Sequence, residues 1–258
     1  METALITGGS SGMGLEYARQ LARKGANLVI VSNNQEQLDD AADELGPLMC
    51  GNAWLRLKWV DLSAPGAAKD LHGWCCAEGI RTDILVCNAG MYFFKELVPD
   101  DCRRVETMID LHIRVNTELC ILFGNDMKVR KEGRIILVSS MAAKLPVPGI
   151  SIYSATKAYL LSFGKSMWFE MKPYGVKFTT VCPAAIATPL YNIKPSLMNA
   201  GIKTGIIHKP SWLVKKALRA SEHGRRVIRP SSMNCWLPAA IALLPAKLES
   251  FIWKKIRK

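Results

Sequence analysis

The sequence has little that suggests a metal site or a disulfide framework. It contains eight cysteines but no Cys-x-x-C pair, and its four histidines show no ligand spacing among themselves. The cysteines lie mostly in apolar runs, and four of them fall in predicted strands or helices (Cys87, Cys102, Cys120 and Cys182). This usage is typical of small core residues in a reducing compartment. We therefore expect no metal and no disulfides.

Long hydrophobic runs, internal repeats and low-complexity tracts are also missing. The longest late apolar run, from Trp236 to Leu244, contains Pro238 and is too short to cross a bilayer. A strand-like run begins at Thr3, which leaves no room for a signal peptide. We expect a cytoplasmic protein with one large domain.

Acidic residues are outnumbered, 22 against 34 basic ones, so the formal net charge is +12. Much of the excess lies late, between residues 215 and 258. Such a surface can attract nucleic acid, anionic lipid or anionic substrates, or it can be a solvated face with a frayed tail. Zinc-finger spacing is absent, as is a basic region leading into heptads, so we expect no nucleic-acid partner.

What the sequence does contain is a regular alternation of strand and helix signals. The predicted strands are Ala4–Thr7, Asn27–Val31, Trp54–Val60, Asp83–Cys87, Arg134–Ser139, Val176–Cys182 and Arg226–Ile228. Predicted helices include Leu15–Lys24, Gln35–Leu45, Cys102–Arg130 and Ser151–Lys172. This order predicts an α/β fold, with a doubly wound parallel sheet of about seven strands that binds ligand at the carboxyl ends of its strands.

A glycine-rich turn follows the first predicted strand. It reads Thr7-Gly8-Gly9-Ser10-Ser11-Gly12-Met13-Gly14. Glycines allow a tight turn and a close approach of a pyrophosphate, which would sit at the N-terminus of the helix that opens near Met13. A glycine-rich stretch alone can be merely a turn, but its position between the first strand and a helix favours a phosphate site.

The second strand ends in Ser32-Asn33-Asn34, with no acidic residue before Glu36. An acid at this position would bind the ribose 2′-hydroxyl of NAD and repel a 2′-phosphate. Its absence favours NADP(H), while the absence of an arginine leaves NAD(H) open.

Polar or turn-forming residues stand at the other predicted strand ends. They are Asp61, Asn88-Ala89-Gly90, Ser139-Ser140 and Pro183. Each could be a cap or a turn residue. Together at one edge of one sheet, they predict ligand contacts.

Tyr153 and Lys157 lie four residues apart in the predicted helix Ser151–Lys172, and therefore on one face of it. A nearby ammonium favours the phenolate and lowers the pKa of a phenol, which suits a tyrosine to acid–base chemistry near neutral pH. A Tyr-x-x-x-Lys pair alone is equally typical of a half-buried ring beside a solvated amine.

In this order and spacing, residues 3 to 230 closely resemble the short-chain dehydrogenase/reductase family. The resemblance rests on the glycine-rich turn, Asp61-Leu62, Asn88-Ala89-Gly90, Asn116, Ser140, Tyr153-Ser-Ala-Thr-Lys157 and Pro183…Thr188. Within the family the chain looks most like the lipid-handling branch of 17β-hydroxysteroid dehydrogenases and long-chain 3-oxoacyl reductases, because of its late basic and apolar extension. The resemblance implies a single-domain Rossmann fold over residues 1–232, a substrate loop at 189–209, a helical extension at 233–258, and a homodimer or homotetramer.

The resemblance also implies the chemistry, which is NAD(P)-dependent interconversion of a ketone and a secondary alcohol. Tyr153 would be the acid in reduction and the base in oxidation, and Lys157 would hold the ribose and lower the tyrosine pKa. Ser140 would bond the reacting oxygen. Asn116 would help a water link Lys157 to solvent, although alone it would be an ordinary polar residue on a helix.

The implied cofactor contacts extend over most of the strand ends. They are Gly8, Ser10, Ser11, Gly12, Met13, Gly14, Ser32, Asn33, Asp61, Leu62, Asn88, Ala89, Gly90, Tyr153, Lys157, Pro183, Ile186 and Thr188. Asp61 would meet the adenine, and Ile186 and Thr188 the nicotinamide. Ala184 replaces the glycine that often follows the proline in this family. Ser11 and Asn33 stand where members that prefer NADP often place a basic residue.

Apolar residues surround the implied reaction centre, which predicts a small lipophilic substrate such as a 3-oxoacyl, ketosphingoid or steroid compound. Its contacts would be Ser140, Met141, Tyr153 and Leu190, with Tyr92 and Phe93 nearby. Each apolar side chain could instead be ordinary core packing. Two other functions remain open: a non-catalytic nucleotide-binding regulator on the same fold, and a reductase of small polar carbonyls.

The extension combines an apolar run with an aromatic face and a basic end. Its late part contains Leu248, Phe251, Ile252 and Trp253, then Lys254-Lys-Ile-Arg-Lys258. This pattern suits a helix lying on anionic lipid, and equally a helix packed on a subunit partner.

Overall fold

The computed structural model describes residues 1–145, 147–191, 195–243, 245, 247–248, 250 and 254–255. Within them seven strands form one sheet, in the order β3-β2-β1-β4-β5-β6-β7, and every pair of neighbours is parallel. The strands are Thr3–Thr7 (β1), Asn27–Ser32 (β2), Leu55–Trp59 (β3), Ile84–Cys87 (β4), Gly133–Val138 (β5), Val176–Val181 (β6) and Val227–Ile228 (β7). The predicted doubly wound α/β fold is confirmed.

Nine α-helices accompany the sheet in the described part of the chain. They are Gly12–Ala22 (α1), Gln35–Leu45 (α2), Ala67–Ala77 (α3), Cys102–Ile109 (α4), Val115–Arg130 (α5), Ser151–Met171 (α6), Pro195–Lys203 (α7), Pro210–Glu222 (α8) and Met233–Ala242 (α9). Helices α1, α2 and α8 pack on one face of the sheet, and α3, α5 and α6 on the other.

The central strands are buried on both faces, which explains their continuous apolar sequences. In β1, Ala4 and Ile6 join the core under α1 and α8, whereas Leu5 between them joins the core under α3 and α5. This alternation follows from the two-residue period of a strand.

The order in which successive strands are added to the sheet reverses between β1 and β4. The carboxyl ends of these two strands are joined there by hydrogen bonds. Thr7 Oγ1 donates to the Val86 carbonyl (3.2 Å) and accepts from the backbone N–H groups of Asn88 (3.0 Å) and Ala89 (3.1 Å). A doubly wound sheet binds ligand at this reversal.

Two predicted elements differ from the structure. The helix predicted at Cys102–Arg130 is interrupted by a π-helical turn, Asp110–Arg114, between α4 and α5. The predicted substrate loop at 189–209 contains a helix, α7, and its His208 forms a bridge with Ile186 outside the loop.

The cysteines are less uniform than predicted. Cys75, Cys87, Cys120 and Cys182 are buried, but Cys50, Cys76 and Cys102 are exposed and free. Cys102 opens α4 on its outer side, so the prediction that it is a core residue is wrong. Cys76 also lies within 4.8 Å of ligand atoms of His72 and Asp126, a grouping that the spacing of the histidines does not reveal.

The extension begins with α9, which contains Pro238 and contacts the turn Met141–Lys144. Trp236 on this helix is 57% exposed. The predicted aromatic face at Phe251, Ile252 and Trp253 lies outside the described residues. None of the helices in the described ranges is long and apolar enough to cross a membrane.

Candidate active site

A cavity of about 550 Å³ lies at the carboxyl ends of the strands. The predicted site residues that line it are Gly8, Ser10, Ser11, Gly12, Met13, Ser32, Asn33, Asp61, Leu62, Asn88, Ala89, Gly90, Ser140, Tyr153, Lys157, Pro183, Thr188 and Leu190. Gly14, Asn116, Met141 and Ile186 are not among its lining residues. The cavity therefore collects residues from six strand ends and from α6.

The glycine-rich turn is packed too tightly for side chains. A Cβ atom on Gly14 would lie 1.9 Å from the Gly8 carbonyl oxygen and 2.7 Å from Asn88 Nδ2. Gly8 and Gly12 have φ values of 61° and 53°, which other residues rarely adopt. Gly14 thus supports the cavity from beneath, and α1 begins at Gly12 with its N-terminus at the cavity, as a phosphate site requires.

The end of β2 presents a neutral polar surface. Ser32 Oγ accepts from Ser10 Oγ (2.8 Å) and from the backbone N–H of Asn34 (3.3 Å), and the Asn33 carbonyl accepts from Trp59 Nε1 (3.0 Å). Among the described lining residues, Asp61 is the only carboxylate and Lys157 the only lysine or arginine. No carboxylate in that set is at β2.

Asp61 is oriented by its own turn. Its Oδ1 accepts from the backbone N–H (3.0 Å) and the hydroxyl (2.7 Å) of Ser63. The carboxylate is therefore held in place at the end of β3, on the side of the cavity where the adenine contact is predicted.

Helix α6 carries Tyr153 and Lys157 one turn apart on the buried face, each 5% exposed. Lys157 Nζ donates to the Val138 carbonyl (3.1 Å) and lies 5.7 Å from the centre of the Tyr153 ring. Burial lowers the pKa of Lys157 to about 8. The amine is thus fixed beside the tyrosine in a site where its charge is costly.

The two adjacent serines have different environments. Ser139 Oγ donates to the Lys157 carbonyl (2.7 Å) and ties β5 to α6. Ser140 Oγ accepts from the Ala142 N–H (3.1 Å) at the start of the turn Met141–Lys144. The Ser140 oxygen uses its acceptor side here, so its O–H can donate into the cavity. This geometry supports the choice of Ser140 for the reacting oxygen.

Asn116 is turned away from the cavity, and His112 occupies the wall instead. Asn116 Nδ2 donates to the carbonyls of Leu111 (3.1 Å) and His112 (2.9 Å), both of which lie in the π-helical turn. A Cβ atom on Gly90 would lie 3.0 Å from His112 Nε2 and 3.7 Å from Lys157 Nζ. His112, one turn before Asn116, therefore lies close to Gly90 and Lys157.

Sequence reasoning had one cue for His112. It precedes Asn116 by four residues, so a regular helix would place both on one face. Only the π-helical turn, which leaves no clear mark in the sequence, separates the two side chains.

Two of the three residues predicted at the nicotinamide end line the cavity. Pro183 and Thr188 line the cavity, and Thr188 lies beside Gly12, so it closes the cavity against the glycine-rich turn. Ile186 is 2% exposed and packs in the core under α8. A direct cofactor contact by Ile186 is therefore not supported by the lining of the cavity.

Aromatic and apolar residues pack around Tyr153. The Tyr92 ring meets the Tyr153 ring edge to face, with 5.0 Å between centres. Phe93, Met108 and Ala142 are buried with Tyr153 in one cluster, so Phe93 serves core packing. Met141 is half-buried, whereas Leu190 is exposed and lines the cavity.

The sequence profile described as short chain dehydrogenase matches residues 2–196. The chain belongs to the short-chain dehydrogenase family. The predicted family is confirmed, and its members are oxidoreductases.

Curated relatives of this short-chain dehydrogenase include lipid-related enzymes. Very-long-chain 3-oxoacyl-CoA reductase of Bos taurus is 31% identical over 263 residues, which cover 99% of this chain and 78% of the relative. The zebrafish (Danio rerio) very-long-chain 3-oxoacyl-CoA reductase-A is 33% identical over 203 residues, which cover 75% and 61%. Zebrafish 17-beta-hydroxysteroid dehydrogenase type 3 is 30% identical over 198 residues, which cover 72% and 61%. The match thus spans between 61% and 78% of these relatives.

Solved structures of short-chain dehydrogenases share the fold over nearly the whole chain. The enzyme of Sphingobium yanoikuyae in complex with NADPH superposes with a TM-score of 0.79 at 26% identity, covering 95% of this chain and 97% of that one. The bulky-bulky ketone specific alcohol dehydrogenase of Comamonas testosteroni gives a TM-score of 0.77 at 25% identity, covering 95% and 96%.

Proposed function

We propose that this short-chain dehydrogenase interconverts a ketone and a secondary alcohol with NAD(P), using Tyr153 as the acid or base. One observation carries the proposal. Ser140, Tyr153 and Lys157 line the same cavity as the glycine-rich turn. A nucleotide held by that turn would therefore extend toward the catalytic wall.

The residues fit a dinucleotide in three respects. The turn excludes side chains at Gly14, the N-terminus of α1 faces the cavity, and Asp61 is fixed at the far strand end. When bound, the nicotinamide supplies or accepts the hydride. The protein positions it and handles the proton.

The three catalytic side chains would divide the remaining work. Tyr153 would give its hydroxyl proton to the ketone oxygen during reduction and take a proton back during oxidation. Ser140 would donate a hydrogen bond to the same oxygen and stabilise the charge that develops there. Lys157, held by the Val138 carbonyl, would place a positive charge beside the phenol.

Tyr153→Phe tests this assignment because it removes the proton and little volume. We expect turnover to fall by about 10²- to 10⁴-fold, while the dissociation constant of NADPH stays within about twofold. Stopped-flow fluorescence of NADPH gives both quantities. Near-normal turnover would refute the role of Tyr153. If the wild type binds NADPH but turns over no substrate, the non-catalytic nucleotide-binding regulator would be favoured.

We further propose a lipophilic substrate of the 3-oxoacyl, ketosphingoid or steroid type. Exposed Leu190 at the cavity and the aromatic packing around Tyr153 support it, as do the names of the relatives. A turnover screen should compare long-chain β-keto compounds, steroids and small sugars at equal concentration. A sugar as the best substrate would favour the alternative, a reductase of small polar carbonyls.

We also propose a preference for NADP(H) over NAD(H). The neutral end of β2 carries no carboxylate to repel a 2′-phosphate, and the Sphingobium yanoikuyae relative was solved with NADPH. Parallel titrations of NADPH and NADH measure the preference, and tighter binding of NADH would reverse it.

Two proposed partners lie outside the catalytic cavity. One is a second copy of the chain, as a homodimer or homotetramer, which sedimentation measures. The other is the membrane surface, through the basic residues after 233. Flotation on anionic liposomes should be lost when the chain ends at residue 232, and equal flotation of both chains would remove the membrane contact.

A further inference from the structure

His112 is a buried histidine that the proposed reaction does not use. It has no exposed surface and lies at the centre of the π-helical turn Asp110–Arg114. Turns of this kind are rare and occur frequently at functional sites. Its ring meets the Tyr153 ring edge to face, with 5.8 Å between centres. A full set of polar contacts holds it there.

A chain of three hydrogen bonds runs through His112 from the loop after β4 to α6, and it fixes the tautomer of the ring. The backbone N–H of Met91 donates to Nε2 (3.0 Å), so Nε2 carries no proton. The proton is then on Nδ1, which donates to Thr156 Oγ1 (2.9 Å). Thr156 Oγ1 in turn donates to the Tyr153 carbonyl (2.9 Å). All three bonds run in one direction, from the loop after β4 to the first turn of α6.

This chain of bonds joins the two sides of the cavity. Met91 follows Gly90, which lines the cavity after β4, and Thr156 stands between the two catalytic residues of α6. The ring packs against Gly90 so closely that a Cβ there would lie 3.0 Å from Nε2. The imidazole therefore sets the separation between this loop and α6.

We propose that neutral His112 is a positioning residue, which holds Tyr153 and Lys157 in register with the loop at Gly90 and Met91 through Thr156. The inference rests on the proposed function and deepens it. Asn116 supports the π-helical turn that holds His112, because its amide donates to the carbonyls of Leu111 and His112.

The charges around the ring favour its neutral form. Lys157 approaches from α6, and burial together with that charge lowers the pKa of His112 well below its usual value. On its own turn, Asp110 and Arg114 pair with each other at 3.4 Å. A proton on Nε2 would face the Met91 N–H, donor against donor, and break the chain of bonds.

The test interrupts the chain of bonds at Thr156, which has no place in the proposed chemistry. Thr156→Val keeps the volume and removes both hydrogen bonds, whereas Thr156→Ser keeps the hydroxyl. We expect kcat to fall about tenfold in Thr156→Val with little change in KM, and to recover to within about twofold in Thr156→Ser. His72→Phe, a half-buried histidine outside the cavity, is the control and should keep its kcat.

A double variant separates positioning from general destabilisation. His112→Phe fills the same space without hydrogen bonds, and it interrupts the same chain as Thr156→Val. We therefore expect the losses in kcat not to multiply: His112→Phe/Thr156→Val should be within about threefold of the worse single variant. A proton on His112 should break the chain of bonds at low pH and lower kcat. This fall in kcat at low pH should be present in Thr156→Ser and missing in His112→Phe.

The outcomes distinguish this inference from the proposed function. If the wild type reduces no ketone in the screen, both are overturned. If the wild type is active and Thr156→Val matches it, or if the two losses multiply, only the role of His112 is overturned. A Thr156→Val chain that does not fold leaves His112→Phe and its pH profile as the deciding measurement.

Discussion

In the proposed reaction Lys157 must stay charged to help Tyr153, yet it is buried in a site that penalises charge. Lowering its pKa from 10.5 to about 8 corresponds to about 3 kcal/mol of unfavourable burial of the ammonium. In the described part of the chain, the Val138 carbonyl accepts a hydrogen bond from its ammonium. The residue that serves the reaction thus lowers the stability of the fold.

The stability cost has a defined pH dependence. Below pH 8 the folded and unfolded chains both carry the proton, so the full cost is present. Between pH 8 and 10.5 the folded chain releases the proton while the unfolded chain keeps it, so stability is regained as pH rises. We expect Lys157→Met to exceed the wild type in unfolding free energy by up to about 3 kcal/mol at pH 7 and by less at pH 9.5, with turnover lost.

Urea denaturation of both chains without cofactor at the two pH values measures this difference. Lys177→Met, at a solvent-exposed lysine, is the matched control and should show no comparable change with pH. A Lys157→Met chain that is less stable at pH 7 would contradict the argument.

Asn33 offers a second prediction at the level of one side chain. It is exposed at the end of β2 and lines the cavity, so a carboxylate there would face a 2′-phosphate. We expect Asn33→Asp to weaken NADPH binding about tenfold or more and to leave NADH binding unchanged or tighter. Fluorescence titration of both nucleotides with Asn33→Asp and Asn33→Gln checks it, and equal effects on both nucleotides would argue against this location.

Helix α6 lies so close to β6 that a single methyl group should matter. A Cβ atom on Gly164 would lie 2.0 Å from Thr180 Oγ1, whereas one on Gly73 in α3 would meet nothing within 4 Å. We expect Gly164→Ala to destabilise the fold by about 1–3 kcal/mol and to lower kcat, because α6 carries Tyr153 and Lys157.

Gly73→Ala is the matched helical control. With open space around it, the substitution should stabilise by up to about 1 kcal/mol through helix propensity alone. Thermal and urea unfolding of the two variants side by side decides the matter. Equal effects would mean that the approach of α6 to β6 is looser than described.

Regular elements were predictable because their causes are local. The strands appear in the sequence as short Val- and Ile-rich runs, since both faces are buried, and all seven agree within one residue at the carboxyl end. The π-helical turn at Asp110–Arg114 was not predictable, because its sequence continues the helical pattern and tertiary packing alone selects it.

The same limit applies to the site. Polar residues at strand ends were correctly placed at one cavity because parallel strands share their carboxyl edge. His112 was not predicted, because the π-helical turn that contains it leaves no clear mark in the sequence. Asn116 and Ile186 were expected at the site and do not line the cavity, but their roles stay predictions.

At the scale of the molecule, cofactor binding should stabilise the entire fold, because the cavity draws on both halves of the sheet. At a concentration of 100 times the dissociation constant, NADPH should add about 2.7 kcal/mol and raise Tm by about 5–10 °C. Tyr153→Phe should keep this increase.

Gly14→Ala should lose the increase, since its Cβ would lie 1.9 Å from the Gly8 carbonyl oxygen and distort the turn. Differential scanning fluorimetry with and without NADPH measures all three chains. A full increase in Gly14→Ala would mean that the nucleotide binds elsewhere.

The contact between Thr188 and Gly12 has a consequence for how the protein is made. This contact closes the cavity and joins two residues that are separated by most of the chain. The hydrogen bond between Thr7 and Asn88 already joins residues 81 apart. A nascent chain emerging from the ribosome therefore completes the first strand and turn long before their partners exist. Such distant pairings form slowly, so the ability to bind a nucleotide should be among the last properties to appear during synthesis.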